Sequence, residues 1–244
     1  MTPWSSYQDI LRRTAERSTR AETESESALR CSDTYYTRWS HQVKTPLAAL
    51  RLLIREEPID RTACENELLK TEQYVEMALQ YQRLKSTEND LLLTSCPLDQ
   101  VVRNTIKSLA PLFITQNLSL EIENISVSVL TDEKWLQFAL EQILSNAAKY
   151  TRLGGVTIRL SDPSRPELVI QDSGIGIQPE DLPRIFEKGY TGVNGREDNR
   201  ATGIGLYLSR KILRKLGHEI TVDSQVDKGT EVRMSLWKKD LEMY

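Results

Sequence analysis

"DEKWLQFALEQILSNAAKYT", residues 132 to 151, decides how the rest of the chain is read. Leu136, Ala139, Leu140, Ile143 and Ala147 recur at the spacing of one helical face, which predicts an amphipathic helix with that face in a core. Gln142, Asn146 and Lys149 recur at steps of four and three along the margin of that face, so they share one edge of the helix. An amide and an ammonium on the border of a core suit a magnesium and phosphate site: an amide oxygen can fill one octahedral position while phosphate oxygens and water fill the others. The same spacing also describes a solvated helix margin, so neighbouring sequence has to separate the two readings.

Downstream, "VIQDSGIGI" (169–177) runs as a strand into Asp172, followed by Gly174 and Gly176. Missing side chains let a flat ring approach the backbone while the carboxylate accepts from an exocyclic amine such as adenine N6. Alone, the pattern also fits a tight turn. "ATGIGLYLSRKIL" (201–213) then places Gly203 and Gly205 at the start of an apolar helix, where free N–H groups and the helix dipole can hold phosphate. Between the two lies "EKGYTGVNGREDNRAT" (187–202), with three glycines, mixed charge and no apolar period, which reads as a mobile lid. Arg196 and Arg200 are candidate phosphate contacts within it, or plain solvated charges. Tyr190 and Trp135 read as packing residues, and His218, after the helix-ending Gly217, as a surface residue.

From residue 97 onward the chain alternates helices with β-rich runs, among them LSLEIENI, VSVLT, GGVTIRLSD, ELVIQDSG, HEITVDS and TEVRMSLW. Turn-rich spacers such as "DPSRP" and "SQVDKG" predict mainly antiparallel neighbours, with helices near 99–116, 132–151 and 204–216 covering one face of the sheet. This domain is taken as 97–240.

Upstream, residues 31–90 predict a helical hairpin. Val43, Leu47, Leu50 and Ile54 form one stripe on a helix from about 32 to 57, Pro58 punctuates, and Leu68, Val75 and Leu79 mark a second helix from about 61 to 86. Two such helices cannot bury both stripes between themselves, so the pattern predicts a homodimer whose hairpins form a four-helix bundle. His41 lies about 200° around the helix from Val43 and faces water, where a neutral imidazole has a nucleophilic nitrogen. Pro46 frees the carbonyl of Gln42 and bends the helix beside that ring. Residues 1–30 lack any apolar stripe and read as a helical connector.

Taken in order, these motifs resemble a known family. "SHQVKTPLAAL" (40–50) is similar to the phosphoacceptor box of sensor histidine kinases, and the Asn-containing helix, DxGxG and GxGxxL resemble the N, G1 and G2 boxes of Bergerat-fold ATPases. "RIFEKGYTG" (184–192) resembles the F box, with Phe186 packing toward the lid. The resemblance implies an α+β chain: a dimeric bundle followed by a Bergerat-type α/β sandwich that binds ATP and Mg2+. It implies autophosphorylation of His41, transfer to an aspartate of a response regulator, and removal of phosphate from that partner with Thr45 positioning water.

It further implies nucleotide contacts from Gln142, Asn146, Lys149, Tyr150, Asp172, Gly174, Gly176, Thr202, Gly203, Gly205 and Leu206, with Asn146 the metal ligand. Two positions depart from the family pattern. Gln42 replaces the usual acidic residue after the histidine and can hydrogen-bond the ring without serving as a base. Gln142 stands where the ATP-hydrolysing relatives carry a glutamate, which favours a phosphoryl donor over a hydrolase. The readings left open are a hydrolase of the same fold and a nucleotide-gated dimerisation scaffold with an idle His41.

"HQVKTP" (41–46) is more specifically similar to kinases of Gram-positive bacteria that sense peptide antibiotics and cell-envelope stress alongside a membrane transporter. In those, a membrane segment precedes the connector, so this chain is expected to be the cytoplasmic part of a membrane protein. With 32 basic and 35 acidic residues, the formal charge of −3 offers no broad basic surface for nucleic acid. The 3 cysteines, odd in number and lacking metal spacing, fit a reducing compartment.

Overall fold

The computed structural model describes residues 37, 39–85, 91–162, 164–192 and 203–237. The connector 1–30, Arg196, Arg200 and Thr202 lie outside the described residues. Helix α1 (39–53) and helix α2 (Arg61–Lys85) form the hairpin. Asp60 starts α2 by accepting from the Ala63 N–H at 2.9 Å, satisfying a donor that the first turn leaves without a partner. Trp39 ties the two helices together, its indole donating to the Tyr74 carbonyl at 2.7 Å.

Within one chain the expected stripes remain largely uncovered: Leu47 of α1, Ile54 in the turn that follows it, and Leu68, Val75 and Leu79 of α2 are all exposed. Helix α2 carries a second apolar line that the sequence reading did not single out. Tyr74, Met77 and Tyr81 follow one another at three and four residues, and Met77 and Tyr81 are buried against the α/β domain.

That domain is ordered β1 (Thr94–Pro97), α3 (Leu98–Thr115), β2 (Ser119–Ile122), β3 (Ser128–Thr131), α4 (Glu133–Tyr150), β4 (Gly155–Leu160), β5 (Glu167–Asp172), a 3-10 turn at Leu182–Arg184, α5 (Gly205–Lys215), β6 (Glu219–Gln225) and β7 (Gly229–Ser235). Five strands make one sheet in the order β2-β4-β5-β7-β6. Three of its four pairings are antiparallel, as expected, but β2 runs parallel to β4. A parallel neighbour needs a long crossover, and the chain supplies it through β3 and α4. β3 itself leaves the main sheet to pair with β1, whose sequence TSCP holds no β-rich run to mark it.

Val156, Ile158, Leu168, Ile170, Val232 and Met234 point to the helical layer and are buried. The opposite face is polar except for Val169, also fully buried, whose register neighbours are Arg159 and Arg233. Both arginines are tied to Glu231, Arg159 at 2.9 Å, so their aliphatic stems lie beside the valine.

Helix α4 sits centrally, against α3 on one side and α5 on the other. Its buried surface is therefore wider than the predicted face and adds Phe138, Leu144 and Ala148. Asp132 caps it, accepting from Lys134 and Trp135 N–H groups, and its second carboxylate oxygen accepts from Leu92 N–H at 3.0 Å, which anchors the incoming chain. One expectation fails here. His218 is not on the surface: it is 1% exposed, and its Nε2 hydrogen-bonds the Thr131 hydroxyl at 3.0 Å. The helix-ending Gly217 turns the chain inward, so the next side chain is delivered under the helical layer between β6 and β3.

Candidate functional site

The end of β5 delivers Asp172 to the floor of a cavity of about 300 Å³. Its Oδ1 accepts from the Gly174 N–H at 2.9 Å and from the Thr230 N–H at 3.2 Å. Neither bond uses Oδ2, which leaves an acceptor for a ligand donor. Burial pushes the carboxyl above the ordinary aspartate range, and the two backbone donors pull it partly back.

The loop after Asp172 is held close by missing side chains. A Cβ on Gly174 would lie 2.5 Å from the Tyr150 carbonyl, and Ile175 N–H donates to that same carbonyl at 3.1 Å. Gly176 adopts φ +69°, and a Cβ there would lie 2.1 Å from the Gln225 carbonyl. The DxGxG stretch is thus fastened between the C-terminus of α4 and the β6–β7 turn. The tight-turn reading is therefore met, with the Asp172 carboxylate left facing the cavity.

Helix α4 forms one wall with Gln142, Asn146 and Lys149, which share the edge that their spacing predicts, and with Tyr150, which the resemblance rather than the spacing supplied. Gln142 packs its amide oxygen against the start of α5, where a Cβ on Gly205 would lie 2.7 Å from it. Gly203, Gly205 and Leu206 line the adjoining wall. Among the described residues no side chain caps α5, so the N–H groups of its first turn are placed to meet a ligand anion. Gly174 stands behind the wall rather than in it and acts on the site through Asp172.

Several lining residues were absent from the sequence reading. Thr230, paired with Asp172 across β5 and β7, completes the carboxylate's anchorage; the Gly-Thr step opening β7 marked a turn and nothing more. Tyr190 was read as packing, yet it lines the cavity with its hydroxyl bonded to Asp181 and its ring under the Arg184 guanidinium, 4.2 Å from the centroid. Lys70, Gln73, Tyr74 and Met77 of α2 also line the cavity, which the two-domain reading could not foresee. Trp135 and Phe186 pack against the core, with the Arg210 guanidinium over the Phe186 ring.

His41 is exposed on α1. Thr45, one turn on, donates its hydroxyl to the His41 carbonyl at 3.1 Å, while Pro46 is buried. Among the described residues no cluster of three or more His, Cys, Asp or Glu could hold a metal ion. The donor set fits magnesium held by the Asn146 amide oxygen together with ligand phosphates and water, and does not fit an all-protein cage.

Residues 131–240 match the family described as histidine kinase-, DNA gyrase B- and HSP90-like ATPases. Over 206 residues the chain is 36% identical to the sensor protein BceS of Halalkalibacterium halodurans, covering 83% of this chain and 61% of that protein. Over 223 residues it is 35% identical to the sensor histidine kinase YxdK of Bacillus subtilis, covering 88% and 68%. The sensor protein kinase GraS of Staphylococcus aureus is 32% identical over 203 residues, covering 81% and 58%. The chain thus spans about three fifths to two thirds of the length of these relatives. Among solved structures, full-length ShkA in complex with AMPPNP superposes with a TM-score of 0.58 at 19% identity, over 86% of this chain and 46% of that one. The Acinetobacter baumannii histidine kinase AdeS gives 0.57 at 20%, over 82% and 98%. Both likenesses are of fold.

Proposed function

The chain belongs to the sensor histidine kinases, and from that premise we propose that it binds ATP with Mg2+ in the cavity, phosphorylates His41 and passes the phosphoryl group to an aspartate of a response regulator. The observation that carries this reading is the convergence of Asp172, Asn146 and the uncapped start of α5 on one cavity. Asp172 Oδ2 accepts from the adenine amine. The first-turn N–H groups of α5 and the Lys149 ammonium hold the phosphates, and the Asn146 oxygen ligates the metal. Magnesium held by Asn146 would supply charge neutralisation for the phosphates during transfer.

The nucleophilic imidazole nitrogen of His41 then bonds to the γ-phosphorus as the bond to the β,γ-bridging oxygen breaks and ADP leaves. Exposure of the ring lets its proton pass to water, so Gln42 need not act as a base. Packing of Gln142 against Gly205 supports transfer over hydrolysis, since no carboxylate stands there to activate water.

We also place the exposed stripes of α1 and α2 against a second copy in a four-helix bundle. Likeness to BceS, YxdK and GraS supports the BceS-like subgroup, and to this we add, from the resemblance of residues 41–46, a membrane transporter as partner and a membrane anchor. No helix among the described residues is long and apolar enough to cross a membrane.

The test is incubation with magnesium and γ-labelled ATP, comparing the unmodified chain with His41→Gln and Asn146→Asp. The expected result is label on the unmodified chain alone, lost in acid and kept in base. Label that survives on His41→Gln overturns the assignment of the acceptor. A chain that releases phosphate steadily without becoming labelled is a hydrolase.

A further inference from the structure

Helix α2 belongs to the hairpin, yet one of its faces lies on the α/β domain. Lys70, Gln73, Tyr74 and Met77 line the same cavity as Gln142, Asn146 and Lys149. Beyond the cavity the contact continues at both ends of the helix. Toward its start, the Asn66 amide donates to the Thr115 hydroxyl at the end of α3, 3.3 Å away. Toward its end, Tyr81 is 4% exposed, its hydroxyl accepts from the Lys188 ammonium at 2.6 Å, and that ammonium stands 4.7 Å from the Tyr81 ring centroid. The face is therefore seated at three levels, and the middle level opens onto the cavity.

The opposite line of α2, Leu68, Val75 and Leu79, is 40–48% exposed and remains available for bundle formation. One helix thus serves two partners on two faces, and neither use excludes the other. The Lys70 side chain is held by Glu67 on its own helix at 2.5 Å and is 38% exposed, so the ammonium sits at the rim of the cavity.

We propose that α2 is a wall of the nucleotide site, with Lys70 and Tyr74 positioning bound nucleotide, so that occupancy of the cavity and seating of the hairpin stabilise each other. This rests on the nucleotide reading of the site and adds the hairpin to it. By linkage, a ligand that contacts both domains must favour the seated arrangement by as much as seating favours the ligand.

The experiment is hydrogen exchange of the whole chain with and without Mg-ADP, beside titrations of ADP and of adenosine into the unmodified chain and Lys70→Ala. Slower exchange of the α2 amides over residues 70–81 in ADP supports the shared wall. So does ADP binding about threefold weaker in Lys70→Ala with adenosine unchanged, the size expected of one exposed charge on a phosphate. If ADP binds while α2 exchange is unchanged or faster, the proposal is overturned and the nucleotide site stands. If ADP does not bind the unmodified chain at all, the nucleotide reading and the proposal fall together. Asp172→Asn, in which ADP should bind too weakly to occupy the site, should show no ADP effect on α2; a persisting effect would place the ADP outside this cavity and overturn the proposal.

Discussion

The cavity proposed for nucleotide and the surroundings of His41 are built in opposite ways. At the cavity Asp172 is fixed by two backbone donors and the following loop is held against the Tyr150 and Gln225 carbonyls, while the Gln142 amide oxygen packs close to Gly205. His41 stands exposed on α1, and the hydrogen bond nearest it runs from Thr45 to its backbone carbonyl, not to its ring. On the proposed function this contrast is expected: a phosphoryl donor must be held in one geometry before reaction, whereas an acceptor that serves two encounters, first with ATP and then with a regulator, must be reachable from more than one direction. Substitutions on the donor side should therefore disturb binding or folding, and substitutions on the acceptor side chemistry alone.

The largest effect expected is at His41. His41→Gln should remove acid-labile label entirely while changing unfolding free energy by less than about 0.5 kcal/mol, as for an exposed site, measured by denaturant titration. A large loss of stability would mean that the ring is structural and would break the contrast.

Asp172→Asn comes next. Its single oxygen would be taken by the Gly174 and Thr230 N–H groups, turning its NH2 toward the adenine amine as donor against donor. Calorimetry should show ADP affinity lower by about a hundredfold, the scale of a lost hydrogen bond to a charged group. Folding should respond the other way. Burial raises the native carboxyl above its unfolded value, so the native state favours the protonated form, and stability due to this group declines as pH rises from the unfolded value through the native one. The neutral amide removes that loss, and Asp172→Asn should melt no lower than the parent at pH 7. For the parent, ADP affinity should fall on acidification while the pH is still above the ordinary aspartate range.

A third substitution isolates the scaffold. Gly229 has φ +104°, and a Cβ would lie 1.9 Å from the Asp172 carbonyl. Gly229→Ala should cost about 3 kcal/mol of stability, readable as a lower denaturation midpoint, since strain and overlap with a backbone atom add. The smallest effect belongs to Thr45. Thr45→Ala loses only a back-bond to a helix carbonyl and should leave stability within about 0.5 kcal/mol and initial labelling within about twofold. A tenfold fall in labelling would show that the acceptor side is more tightly organised than its exposure suggests.

The two regions also differed in how far sequence could reach. Periodicity exposed the wall of α4, because Gln142, Asn146 and Lys149 lie on one short rigid element whose geometry follows from spacing. Asp172, Gly174 and Gly176 were legible only beside the Asn-containing helix and the GxGxxL stretch, because a carboxylate followed by glycines fits a tight turn equally well. What remained hidden depends on pairings distant in sequence. Thr230 meets Asp172 only through strand register, and His218 meets Thr131 across 87 positions. The parallel pairing of β2 with β4 is equally a matter of tertiary packing. The cavity face of α2 escaped notice for another reason: Leu68, Val75 and Leu79 already supplied one complete stripe, and a helix with two faces in use does not show a single period.

The Gly189 N–H donates to the Gly203 carbonyl at 2.8 Å. A Cβ on Gly203, which has φ +66°, would lie 2.5 Å from the Gly189 carbonyl carbon and from the Tyr190 carbonyl oxygen. The two ends of the intervening chain are therefore stapled at a fixed separation, whatever its length. Doubling the length of a loop pinned in this way costs only about 0.6 kcal/mol in closure entropy. The span between the staples is thus a natural port for grafting: a peptide tag or a small reporter domain with adjacent termini could be spliced there with the rest of the α/β domain left in register.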